Sequence, residues 1–128
     1  MYKNLTITSV LGLLAIGLGA FGAHALKNKL SIEGLNSFQT AVRYQMYHVI
    51  VLLFINTYQG FSESIKAKIS TFFFLGILFF SGSIYAIQLT TITAKSIWYI
   101  TPLGGMFFML GWATISWFFL KKKSTIDS

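Results

Sequence analysis

His24 and His48 are the only histidines of this chain, and imidazole is the side chain best suited to proton transfer near neutral pH and to metal ligation. Other polar groups accompany them inside otherwise apolar stretches: Gln45 beside His48, then Ser81, Tyr85, Gln88 and Thr101. A bis-histidine pair offered by two helices is reasonable chemistry for a metal or haem. No ligand spacing backs it, however, and Glu33 and Glu63 lie in polar connecting segments. The absence of cysteine removes thiolate ligands, thiol nucleophiles and disulfides together. With no buried acid and no paired carboxylates, acid–base catalysis lacks its usual groups, and a hydroxyl near a histidine is too common to mark a nucleophile. The residues therefore predict no metal site and no enzyme, and they leave any cofactor unassigned.

The elements that must hold these groups are set by where charge is missing. Of 128 residues, 55% are hydrophobic and only 10% are charged, against about 25% in a typical soluble domain. Residues 4–26, 44–62, 69–94 and 96–120 contain no Asp, Glu, Lys or Arg. Each run approaches the ~20 residues that cross a bilayer as a helix. Such a composition excludes a soluble enzyme, a nucleic-acid-binding module and a disordered chain. A net charge of +7 would suggest nucleic acid in a soluble protein. Here the basic residues flank the apolar runs, so anchoring and orientation in the membrane explain them.

One membrane-spanning domain is expected over residues 1–128, with spans at about 5–26, 38–58, 69–89 and 97–120. All four are predicted to be helices, because only helices or closed barrels satisfy the backbone in hydrocarbon and the runs lack strand alternation. Short connections make neighbours antiparallel, giving an all-α four-helix bundle. Ser31 and Ser37 are candidate helix caps, and Gly34 is a candidate breaker. Residues 1–25 have some features of a signal peptide, including Ala23-His24-Ala25, but the apolar run exceeds a signal core and predicts an uncleaved first span. Pro102 predicts either a kink in a continuous helix or a proline at the first helical position with Thr101 as the N-cap.

Counting lysine and arginine near the span ends predicts both termini on the cytoplasmic side of the cell membrane. That side carries Lys3, Lys66, Lys68, Lys121, Lys122 and Lys123; the other carries Lys27, Lys29, Arg43 and Lys95. Trp98, Tyr99 and Trp117 fall where aromatic belts form.

Two patterns follow from placing residues on helical faces. Small residues line one face of span one, at Gly12, Ala15, Gly19 and Ala23, with Gly82, Gly104 and Gly111 on later spans. These predict close helix packing, within the bundle or between copies of the chain. Gly17, Gly19 and Gly22 also match a dinucleotide fingerprint, but with no preceding strand the match carries nothing. The second pattern is an asymmetry. His24, Gln45, His48, Ser81, Tyr85, Gln88 and Thr101 gather in the non-cytoplasmic half, which predicts either a polar cleft there or a hydrogen-bond network that sets helix register. Arg43, on another face of span two, is expected to snorkel to the headgroups.

Four segments carry a resemblance: GLGAFGAHAL at 17–26, FQTAVRYQMYH at 38–48, FFSGSIYAIQLT at 79–90 and TPLGGMFFMLGW at 101–112. In order and spacing they resemble the small bacterial membrane proteins of domain-of-unknown-function family 423. The resemblance implies a four-span inner-membrane protein and brings no activity, substrate or cofactor. The expected role is that of an accessory or scaffold protein binding other membrane components or itself, within the lipid bilayer and without nucleic acid. The alternatives are a minimal transporter or channel, or a binder of lipid, quinone or haem, using the cleft near His24, His48, Tyr85 and Gln88.

Overall fold

The computed structural model describes residues 2–128. Four helices account for most of them: α1 (Tyr2–His24), α2 (Ile32–Thr57), α3 (Glu63–Leu89) and α4 (Ile100–Asp127). There is no strand among the described residues. Ser31 caps α2, its hydroxyl accepting from the Gly34 amide at 3.0 Å. Gly34 therefore lies in the first turn rather than breaking the helix, and Ser37 lies inside α2. Ser62 caps α3 through the Ile65 amide, an N-terminus further favoured by Glu63 in the first turn. Residues 94–99 form turns, and α4 begins at Ile100. The N-cap position is Tyr99 rather than Thr101, so Pro102 is the third helical residue, where its missing N–H leaves no hydrogen bond broken.

α2 is the central helix. α1 packs along one side of it and the hairpin of α3 and α4 along the other; small residues mark two of the seams, α1 with α2 and α3 with α4. The first seam rests on small residues. A methyl added at Gly12 would stand 3.2 Å from Val49, at Gly19 3.3 Å from Val42, and at Gly22 2.7 Å from the Phe38 ring. Ala15 is buried in the same stripe. Ala23 is exposed, so the fourth step of the stripe is Gly22, one residue earlier than the small-residue spacing suggested. In the second seam Gly76 lies under Phe108, Gly111 under Phe73, and Gly104 against the backbone of Phe79 and Phe80. Gly82 has only ordinary contact with the Ile77 carbonyl, and Gly17 faces open space.

The core between the seams is filled by Leu52, Ile55, Phe61, Ile69, Phe73, Ile77 and Phe108. Within α3 one turn, Ile77–Ser81, is a π-helix. Its extra residue delays the helical repeat, so the face that carries Ile69, Phe73 and Ile77 continues at Ser81 and Tyr85, toward α2.

Candidate functional site

Four polar junctions cross the bundle. Gln45 joins three helices: its amide nitrogen donates to the Leu11 carbonyl of α1 at 2.7 Å, and its oxygen accepts from the Tyr85 hydroxyl of α3 at 2.7 Å. The Tyr85 ring packs against Phe38, so the phenol is held from both ends. Ser81, fully buried, donates to the Ala41 carbonyl at 2.7 Å. That bond places a donor of the π-turn on the backbone of the central helix.

His48 turns the other way, toward α4. The Trp112 indole N–H donates to His48 Nε2 at 3.1 Å, while Nδ1 lies 2.7 Å from the Tyr44 carbonyl. An indole nitrogen only donates and a carbonyl only accepts, so both bonds are made together by the neutral ring protonated at Nδ1. Phe108 stacks on the imidazole at 3.8 Å and Phe73 meets it edge-on at 5.0 Å. The ring is a packed core element with both nitrogens used.

The third junction lies at the opposite end of α2. Asn56 donates to Ser70 of α3 and to the Leu52 carbonyl, both at 2.9 Å, and accepts from Asn4 of α1 at 3.1 Å. The fourth joins Ser83 of α3 to Thr101 of α4. Among the described residues, no buried side-chain nitrogen or oxygen lacks a hydrogen-bond partner.

The seven residues singled out by depth and face therefore occupy separate places. Gln45, Tyr85 and Ser81 belong to the α1–α2–α3 contacts; His48 belongs to the α2–α4 contact. Gln88 and Thr101 line an open furrow of about 410 Å³ with Asn36, Ser37, Thr40 and Ile87. His24, the last residue of α1, is exposed and joins none of these groups. The two histidines do not meet: α1 ends with His24 at the rim, whereas His48 bonds Trp112 well inside α4. Among the described residues no three His, Cys, Asp or Glu side chains gather as a metal site. Arg43 is exposed and bonds Thr40 at 3.2 Å.

Sequence reasoning missed Trp112, Asn4 and Ser70. Trp112 did leave a signal, since an indole donor in the middle of an apolar span has no water to bond and needs a partner in the protein.

Three of the helices, α1, α3 and α4, are long and apolar enough to cross a membrane. With the all-α packing just described, they define an integral membrane four-helix bundle. The chain belongs to the family described as protein of unknown function DUF423, which matches residues 18–105. It is 41% identical to the UPF0382 membrane protein YwdK of Bacillus subtilis, over 80% of this chain and 84% of the relative. It is 35% identical to a UPF0382 membrane protein of Haemophilus influenzae, over 95% and 97%. The UPF0382 inner membrane protein YgdD of Escherichia coli is 32% identical, over 85% of this chain and 82% of its own length. No solved structure matches.

Proposed function

We propose that this protein acts through its surface, as an accessory or scaffold subunit that binds other components of the inner or plasma membrane. The observation that carries this reading is the fully bonded interior: among the described residues, no buried side-chain polar atom is left for a substrate. Leu52, Phe73 and Phe108 fill the middle of the bundle, which disfavours an aqueous path through one protomer. On this reading α2 is the fourth span. Its 26 residues extend about 39 Å, enough for the hydrocarbon core. Its average hydropathy is lowered by Gln45, His48 and Asn56, which face protein rather than lipid. Both termini are cytoplasmic, as the lysine balance favours, and the protein itself is not an enzyme.

The test is purification of the full chain from its native membrane in a mild detergent, followed by reconstitution alone in proteoliposomes. A defined assembly with another membrane protein, reproduced when the two purified components are mixed, supports the reading. Solute flux catalysed by the chain alone would overturn it.

A further inference from the structure

The furrow at the loop end of the bundle, unlike the four bonded junctions, is open. α2 contributes Asn36, Ser37 and Thr40 to one wall, Thr101 and Ala94 form the other, and Ile84, Ile87 and Gln88 of α3 line it between them. One helical turn after Thr40, Tyr44 stacks on Phe80 at 4.9 Å and lies beside Phe108. Arg43, the sole arginine of the chain, lies one heptad after Asn36 on the same stripe of α2. Its guanidinium reaches back toward the helix start and donates to Thr40, a lining residue, at 3.2 Å, so the positive charge stands beside the furrow without being part of its lining. The lining carries no carboxylate. Glu33, the single acid of α2, stands ten residues, about 15 Å, before Arg43. Trp98 and Tyr99, both exposed at the same end, mark the headgroup level.

We propose that this furrow is a phospholipid site: the headgroup phosphate sits at Arg43, which Thr40 holds beside the furrow, the polar headgroup lies along Asn36, Ser37 and Gln88, and the glycerol and upper acyl chain rest on Ile84 and Ile87. A planar guanidinium with several donors matches a phosphate diester. The mixed lining fits a molecule that is polar at one end and apolar at the other, which a free anion is not. The inference goes beyond the accessory role and does not depend on it.

Native mass spectrometry of the full chain, purified in an uncharged detergent with dioleoyl phosphatidylglycerol or dioleoyl phosphatidylethanolamine, tests it. The wild type is expected to retain one phospholipid. Arg43→Gln should lower retention about tenfold, the scale of losing one charge-assisted contact. Ile87→Trp, which fills the furrow and leaves the guanidinium in place, should lower it likewise. Lys27→Gln, which removes a cation at the same end but outside the furrow, should leave retention unchanged. Equal retention in wild type and Arg43→Gln would overturn the proposal, as would equal loss in Lys27→Gln or displacement of the lipid by millimolar inorganic phosphate. Far-ultraviolet circular dichroism confirms that each variant compared is folded; should Arg43→Gln not fold, Thr40→Val takes its place with the same expected loss.

Discussion

Asn36 and Asn56 lie on the same helix, near opposite ends of α2, and are used in opposite ways. Asn56 is buried and bonds to side chains from α1 and α3 as well as to its own helix. Asn36 is exposed and faces the furrow, where only its carbonyl is engaged, by Thr40. The contrast extends to the surroundings. Beyond Asn56 the bundle is sealed by Tyr58, Phe61, Phe118 and Phe119, packed ring to ring. At the Asn36 end the connection through residues 94–99 is a set of exposed turns, and the helices part. The same residue type holds the fold together at one end and is available to a ligand at the other.

The largest effect that would sharpen this contrast comes from the closed α3–α4 seam. Gly104→Leu drives a side chain into the backbone of Phe79 and Phe80, which cannot rotate away. A loss of about 3 kcal/mol or more is expected in thermal unfolding in detergent, at the upper end of overpacking effects. Gly17→Leu, directed into open space, should leave the melting temperature unchanged. An equal response of the two variants would mean that Gly104 does not lie at a closed seam.

Next in size is the asparagine pair itself. Asn56→Leu strands the Asn4 amide and removes the Ser70 contact, at a cost of about 1–3 kcal/mol. Asn36→Leu breaks no side-chain bond and should stay within about 0.5 kcal/mol. If the two substitutions cost the same, the comparison between the ends of α2 fails. Gly19→Leu should cost about 1–2 kcal/mol, less than Gly104→Leu, because the opposing atom is a Val42 methyl on a side chain that can move. Trp112→Phe is expected to cost about 1 kcal/mol, the least of the substitutions that remove a contact, since it keeps the ring against Phe73 and loses only the donor to His48.

Much of the fold was legible because charge is excluded from hydrocarbon, so the gaps between Lys3, Lys27, Arg43, Glu63, Lys68, Lys95 and Lys121 outline the apolar parts of the helices. The pairings were less so. Periodicity gives the direction of a side chain on its own helix but not the rotation of the helix it faces. His48 and Arg43 lie on different faces of α2, but only the fold shows that the partner of His48 is Trp112 of α4. The π-turn at Ile77–Ser81 left no mark in an unbroken apolar run, although it sets which later residues of α3 face α2. Gly34 looked like a breaker because its environment was hidden: it is buried in the first turn of α2, with the Gln88 amide where a side chain would go.

The central claim, that the polar interior is bonded and closed while the Asn36 end is open, is tested most directly by thiol accessibility, since the chain has no native cysteine. Single variants Asn36→Cys, Ser70→Cys and Ser81→Cys are reconstituted in bilayers and exposed to a water-soluble maleimide from both sides. Rapid labelling of Asn36→Cys, with Ser70→Cys and Ser81→Cys protected until the membrane is dissolved, is the result this account predicts. Labelling of Ser70→Cys and Ser81→Cys in the intact bilayer as fast as Asn36→Cys would contradict it, because water would then run through the bundle.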